Sequence, residues 1–409
     1  MIGGDRLVAA LDVGSTKTCA VIAECAPDAG HPSAIQVLGV GLAPSEGVRK
    51  EGVTNIEATT ESVGQALREA ELMAGEEVES AFVGVAGPHV RSESSSGVVA
   101  ISSDEVSRAD VDRVHEVARA VVVAPDRELL HAIPQNYSVD GRAGIQDPVG
   151  MAGTRLETEV CIITADATPC RNLRKALDRA GYYAEEVVLE SLASSIAVLQ
   201  EREREAGVAL VEVGGASTEL AVFMDGRIRR LATLPWGALT VTNDIVKGLG
   251  VPQDEAVSLK EEHGAARTEL VGSDQKIEVQ GPTPGSTRTV SRELLVHIIE
   301  QRLDETLGLA YDELHDAGML GDLGAGVVLT GGGVMLPGAV ELAQGVFNLP
   351  VRLGEPGQGL GGVADAVRKP KFATGVGLAM YGAQRRRQSG GGAARRTLGR
   401  VAEWIKDFF

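Results

Sequence analysis

Residues 7–23, LVAALDVGSTKTCAVIA, read as an apolar strand, a glycine-containing turn and a second apolar strand. Two hundred positions later residues 208–223, VALVEVGGASTELAVF, repeat the arrangement. Asp12 falls on Glu212, Gly14 on Gly214, and Ala20-Val21 on Ala221-Val222. One such hairpin says little. Two with the same order of acid, valine, glycine and small polar residues argue for a repeated unit.

The chemistry of that unit suits phosphate. Gly14, Gly214 and Gly215 let backbone N–H groups approach oxygens closely, Ala216 completes the second turn, and Ser15, Thr16, Ser217 and Thr218 add hydroxyl donors. Asp12 and Glu212, each ending a first strand, can hold a hydrated Mg²⁺ that bridges phosphates, and Lys17 supplies a compact positive charge. The pattern G-x-x-x-x-G-K-[ST] does not occur, and each turn leads into a strand instead of a helix. A third element, GVVLTGGGVMLPGAV at 326–340, delivers Gly331, Gly332 and Gly333 from a buried strand, followed by Met335 and a helix near Pro337. Backbone without side chains there can lie flat against a nucleoside.

Acidic hairpin, acidic hairpin and glycine triplet, in that order, resemble the actin, Hsp70 and sugar-kinase superfamily, in which two related α/β domains close over ATP. AGYYAEEVVLESLASSIAVL at 180–199 reads as a strand and then a helix opening at Glu190-Ser191, and resembles the first interdomain connection of that superfamily. KFATGVGLAMYG at 371–382 looks like the second, with Gly375 and Gly377 allowing close helix packing. A cytoplasmic kinase or phosphohydrolase of the superfamily is the enzymatic alternative, but no spare carboxylate motif stands over a substrate cleft.

Residues 131–156, HAIPQNYSVDGRAGIQDPVGMAGTRL, are more specific. Ile133-Pro134-Gln135, Tyr137, Asp140, Gly144-Ile145, Asp147-Pro148-Val149-Gly150-Met151 and Gly153 resemble the inserted subdomain of the FtsA family of bacterial cell-division actin homologues. AELMAGEEVESAFVGVAGPHV (70–90), LASSIAVL (192–199) and VVLTGGG (327–333) are similar to that family too. The resemblance implies a two-lobed actin-like α/β fold with a small α+β subdomain inserted in the first lobe. It places subdomain 1A at 1–81 and 164–204, the insert 1C at 82–163, subdomain 2A at 205–247 and 310–365, subdomain 2B at 248–309, and a closing helix of 1A at 366–384. It also implies ATP and Mg²⁺ as ligands, self-association into oligomers or filaments, other division proteins docking on 1C, and the tubulin-like FtsZ as partner at the division septum. Glu190 is then the water-positioning residue and Arg302 an FtsZ contact on an exposed guanidinium. A pilus-assembly actin homologue fits less well, for want of the insert motif and the tail.

Within the insert Val111, Val114, Val117, Ala118 and Val121 give one amphipathic helix, and in 2B the helix RELLVHIIEQRLDETLGL is expected to bury Leu294, Leu295, Ile298, Ile299 and Leu303. Three departures from the family pattern stand out. Glu212 replaces the usual Asp, Ala216 replaces a frequent Gly in the same turn, and Val257 stands where a nucleoside-contacting Glu is expected, while Lys260 remains. ATP binding is expected to survive these changes and hydrolysis to be slow.

Charge is uneven. The chain has a net charge of −18, yet residues 385–409 carry seven Lys/Arg against Glu403 and Asp407, a balance of +5 that leaves −23 on the rest. The overall acidity and the 3% aromatic content exclude nucleic acid as a partner. Residues 385–394 read as a flexible, glycine-rich linker. On a helical wheel of residues 395–409, Leu398, Val401, Ala402, Trp404, Ile405, Phe408 and Phe409 share an arc of roughly 160° opposite Arg396, Arg400 and Lys406. Such a helix lies in the interface of an anionic membrane and places the protein peripherally on the inner, cytoplasmic face. No secretory signal is read at the N-terminus, and no apolar run approaches ~18–20 residues. The four cysteines show no metal spacing and are expected buried and reduced.

Overall fold

The N-terminal apolar run forms the expected hairpin. In the computed structural model, which describes residues 6–26, 34–50, 52–121, 123–281 and 285–390, β1 (Leu7–Val13), β2 (Lys17–Cys25) and β3 (Ile35–Pro44) pair antiparallel in sequence order. β1 and β2 are buried on both faces and so read as continuous apolar runs. β4 (Val48–Arg49) and β5 (Gly52–Val53) lead to α1 (Ile56–Ala74), capped by Asn55 and ended by Gly75 at φ +69°. α1 lies so close on β3 that a Cβ at Gly41 would stand 1.9 Å from the Ala66 carbonyl oxygen. β6 (Ser80–Val85) then pairs parallel with β1.

The insert follows: β7 (Val90–Ala100), α2 (Arg108–Arg119), β8 (Arg127–Val139), β9 (Arg142–Ile145) and β10 (Arg155–Asp166). Its antiparallel sheet has the order β7-β10-β8-β9, and α2 opens on a capping box of Ser107 and Asp110. Val111, Val114 and Ala118 are buried on the sheet, but Val117 and Val121 are exposed. Val117 sits roughly 90° round from the buried stripe, and Val121 lies past the helix end. α3 (Ala167–Ala180) and β11 (Tyr183–Leu189) complete the first sheet, with β11 parallel to β6, and α4 (Glu190–Val198) starts at the residue after the strand.

After α5 (Glu201–Ala206) the pattern restarts. β12 (Val208–Val213), β13 (Thr218–Met224) and β14 (Arg227–Leu234) form an antiparallel meander. α6 (Ala238–Leu249), α7 (Gln253–His263), the hairpin β15 (Lys276–Gln280) and β16 (Thr287–Ser291), and α8 (Arg292–Asp316) come next. β17 (Gly326–Thr330) pairs parallel with β12, and after α9 (Ala339–Phe347) β18 (Val351–Leu353) pairs parallel with β17. The order β18-β17-β12-β13-β14 therefore reproduces β11-β6-β1-β2-β3, strand for strand. β19 (Leu360–Gly362) returns to pair with β3, and α10 (Ala373–Gly390) packs against α4 with Gly377 so close that a Cβ would lie 1.9 Å from the Ala193 carbonyl oxygen.

Several expectations change. Asp12 pairs with Cys19 and Glu212 with Glu219, so the repeat has an offset of 200 throughout; setting Ala20-Val21 on Ala221-Val222 is one residue out. α8 runs on past 309 because Leu307, Ala310 and Leu314 continue its buried stripe into the second lobe's core, while Leu294, expected inside, is 45% exposed and Val296 is buried in its place. The linker does not begin at 385. Arg385 pairs with Glu186, Arg386 with Glu185, and Arg387 donates to the Ala26 and Ala34 carbonyls, which holds this end of α10 on the first lobe. The helix expected at 395–409 lies outside the described residues, as does 391–394.

Candidate functional site

The two hairpin turns are built alike and meet. Gly14 N–H donates to the Lys17 carbonyl at 3.0 Å, and Gly214 N–H to the Ser217 carbonyl at 2.9 Å. The amides of Ser15, Thr16, Gly215 and Ala216 donate in none of the described backbone hydrogen bonds. A Cβ on Gly215 would fall 2.6 Å from Ser15 Oγ and 2.8 Å from Thr16 Cγ2, so the turns touch across the lobes. The buried Thr218 hydroxyl donates to the Trp236 carbonyl at 2.8 Å.

Carboxyl groups gather where the first strands end. Asp12 accepts from Lys17 Nζ at 2.9 Å. Burial alone would depress the lysine's pKa, but the Asp12 carboxylate beside it raises it above the ordinary value. Glu212 Oε1 accepts from Thr374 Oγ1 at 2.5 Å, which ties β12 to the start of α10, and Glu219 Oε2 accepts from Thr233 Oγ1 at 2.6 Å. Their second oxygens, Glu212 Oε2 and Glu219 Oε1, are buried without a hydrogen-bond partner. Glu190, first residue of α4, packs on β6, where a Cβ at Gly84 would stand 2.9 Å from its Cγ. Burial, and then the charges of Asp12, Glu212 and Glu219, push its pKa well up. Burial likewise raises Glu212, against the hydrogen bond from Thr374, and takes Glu219 to about 7.

Glu219 is the member that the sequence pattern missed. It faces Glu212 across the β12–β13 ladder. The signal was available, since an acid at an otherwise apolar position of a buried strand needs a reason, and the equivalent residue of the first hairpin is Cys19.

The glycine triplet abuts the same place. Gly331 has φ +89°, and a Cβ there would lie 2.5 Å from the Val213 carbonyl oxygen; at Gly333 it would lie 2.4 Å from Val213 Cγ1. Gly332 is open, with Lys371 Cβ at 3.8 Å its nearest neighbour, and Met335 is 39% exposed. Lys260 Nζ donates to Thr242 Oγ1 at 2.8 Å and the Ala238 carbonyl at 3.4 Å, and Ala238 N–H donates to the Gly214 carbonyl, so α7 reaches the second turn through α6.

Arg302 stands apart and is not the free fork expected. Its Nε pairs with Asp244 at 2.5 Å, its Nη1 with Glu305 at 2.6 Å, and its guanidinium lies 5.2 Å from the Trp236 ring centroid. Leu398, Val401, Trp404, Ile405, Phe408 and Phe409 fall outside the described residues.

The residues present fit a nucleoside triphosphate with its cation. Turn amides without backbone acceptors, two orphaned buried carboxyl oxygens and a lysine converge at one point, and glycines keep the backbone bare beside it. Among the described residues no group of three or more His, Cys, Asp or Glu side chains is arranged to hold a metal by itself. The arrangement suits a cation carried in on phosphates and water.

Comparison with known proteins agrees with this geometry. Residues 87–164 match the family described as the SHS2 domain inserted in FTSA, and residues 209–377 match the family Cell division protein FtsA. The chain is 40% identical to Cell division protein FtsA of Neisseria meningitidis over 418 residues, 99% of either chain. It is 35% identical to Cell division protein FtsA of Escherichia coli K12, covering 98% of this chain and 96% of that one. Among solved structures, a PilM-PilN type IV pilus biogenesis complex has a chain with TM-score 0.65 at 14% identity, covering 92% of this chain and 98% of its own. MreB5 of Spiroplasma citri bound to ADP follows with TM-score 0.56 at 13% identity, covering 95% and 99%. Two strand-for-strand equivalent lobes, the insert between β6 and α3 and full-length relatives at these identities lead to one conclusion: the chain belongs to the FtsA family of cell division proteins.

Proposed function

We propose that this FtsA-family chain binds ATP·Mg²⁺ between its hairpin turns, assembles with copies of itself, and tethers FtsZ to the cytoplasmic face of the membrane at the division septum. The observation that supports the nucleotide reading is the contact of the two like turns beside Asp12, Lys17, Glu190, Glu212 and Glu219. Bound ATP·Mg²⁺ supplies the phosphate charge and the cation around which both lobes close. Amides of Ser15, Thr16, Gly215 and Ala216 and the Lys17 ammonium receive phosphate oxygens; Asp12 and Glu212 orient the cation's waters. Glu190 and Glu219 are poised to hold or accept a proton beside them. Turnover is expected to be slow, because one oxygen of the longer Glu212 side chain is already engaged by Thr374, which would leave a single oxygen to orient the cation's waters. FtsZ and other division proteins dock on the outer subdomains, and residues 395–409 provide the attachment.

Liposome co-sedimentation with purified FtsZ and ATP tests the whole reading. FtsZ should pellet with anionic liposomes in the presence of the full chain and not with a chain ended at residue 390. Equal recruitment by both would overturn the tether.

A further inference from the structure

Strand β8 of the insert touches both lobes, and the nucleotide reading uses neither contact. On the first lobe, His131 reaches β11, the edge strand of its sheet. The last amide of that strand, Leu189 N–H, donates to His131 Nε2 at 3.0 Å, and both residues are buried. A ring nitrogen accepts only when it carries no proton, so His131 is neutral with its hydrogen on Nδ1. Burial favours that form and takes its pKa down to about 4, against the pull of Glu186. On the second lobe, Arg227 at the start of β14 donates from Nη1 to Asn136 Oδ1 at 2.8 Å.

A bulge puts both groups on one face of β8. Its pairing with β10 slips by one residue between Pro134 and Tyr137. Plain alternation would place Asn136 on the side of Ala132, which packs with Ala118 of α2. The slip turns it to the side of His131 and of Ile133, which shares a core with Leu189 and Leu192.

The His131 bond falls one peptide from Glu190. Leu189 is the N-cap of α4 and Glu190 its first helical residue, and the Leu189 side chain makes no capping hydrogen bond. The junction is instead held from the insert, through the Leu189 amide. Gly84 of β6 leaves room for the carboxyl group, since a Cβ there would lie 3.1 Å from Glu190 Oε1. Glu190 is thus seated between bare backbone on one side and an anchored amide on the other. A buried donor stripped of its acceptor is costly, so loss of the imidazole would favour a shift of residues 189–190.

We propose that His131 is a positioning residue for Glu190, and that β8 carries movement of the second lobe, or of a protein docked on the insert, to that carboxyl group. This rests on the nucleotide reading above. The insert would then set turnover without touching the nucleotide.

Single-turnover ATP hydrolysis at saturation and calorimetric ATP binding, both on the full-length protein, test it. His131→Leu removes the acceptor. It should hydrolyse roughly 10- to 100-fold more slowly, as small misplacements of a reacting group do, with ATP affinity within about twofold of the parent. His131→Gln, whose Oε1 can accept from Leu189 N–H, should recover most of the rate. Arg227→Gln cuts β8 from the second lobe with His131 in place; it should also lower the rate at unchanged affinity, and it decides the matter should His131→Leu not fold. A parent-like rate in folded His131→Leu, or a rate loss matched by lost affinity, would overturn the positioning role, and a parent-like rate in Arg227→Gln the coupling. A parent that binds ATP without hydrolysing it would overturn both, whereas a parent that binds no ATP would refute the nucleotide reading itself.

Discussion

At the scale of single residues the two hairpins are unequal copies. In the first, Lys17 answers Asp12; in the second, the position equivalent to Lys17 is Ser217, and a further acid, Glu219, faces Glu212. Positive charge for phosphate thus comes from the first hairpin. Lys17→Ala should lower ATP affinity by roughly 10- to 100-fold in a calorimetric titration, as expected for a lost charged hydrogen bond, and unchanged affinity would contradict the site. Glu219 carries the opposite imbalance. An ordinary glutamate ionises near 4.5, and burial takes this one to about 7. Between those values the native state keeps a proton that the unfolded chain has released, so its stability falls as pH rises from about 5 to 7. Glu219→Gln removes that dependence and should gain on the order of 2 kcal/mol over the parent by pH 8, seen as diverging urea midpoints; parallel profiles would refute the assignment. Asp12, Gly14 and Gly214 were legible because turn chemistry is local. Glu219 was not, because its equivalent in the first hairpin is Cys19, so the repeat itself points to no acid there, and its place opposite Glu212 is set by the cross-strand register.

At the scale of elements, local signals again carried far and long-range pairing did not. Gly375 and Gly377 announced a close helix contact; Gly377 makes it against α4, whereas Gly375 lies against Cys19 and Val21 of β2. Gly377→Ala would drive a Cβ to 1.9 Å from the Ala193 carbonyl oxygen. Backbone must shift to relieve that, so we expect a loss of about 1–3 kcal/mol or more in urea unfolding, and a neutral substitution would mean that the two helices are not so closely apposed. The end of α10 reads differently in sequence and in space. Arg385-Arg386-Arg387 looks like the start of a solvated linker, but Glu185 and Glu186 on β11, two hundred residues earlier, pair with the first two. The same blindness applies to Arg302, whose acids Asp244 and Glu305 already occupy its fork. Charge runs reveal their sign from sequence; their partners require the fold.

At the scale of the whole molecule, the clamp on Arg385–Arg387 fixes where the C-terminal segment departs, beside Ala26 and Ala34 of the first lobe. Since α10 extends to Gly390, only residues 391–397 lie before Leu398, the first apolar anchor, and they can span at most ~23 Å even if fully extended at ~3.3 Å each, against roughly 40 Å for 385–397. If residues 395–409 anchor the chain as proposed, this face of the first lobe would be held near the lipid, and neighbouring copies would share that orientation. Trp404, Ile405, Phe408 and Phe409 each offer about 1.5–3 kcal/mol if fully buried, and each basic residue near an anionic surface on the order of 1 kcal/mol. Ordering the segment costs roughly 1–2 kcal/mol per residue before its hydrogen bonds compensate, so one tail holds weakly and an assembly of many holds by avidity. Trp404→Glu removes one large apolar anchor and adds a charge that anionic lipid repels. We expect this variant to stay in the supernatant with anionic liposomes under conditions where the parent pellets, with an unchanged thermal unfolding profile for the folded body. Raising the salt should release the parent as well, because screening shortens the reach of Arg395, Arg396 and Arg400 to about 3 Å at 1 M. A Trp404→Glu protein that pellets like the parent would show that residues 395–409 are not the anchor.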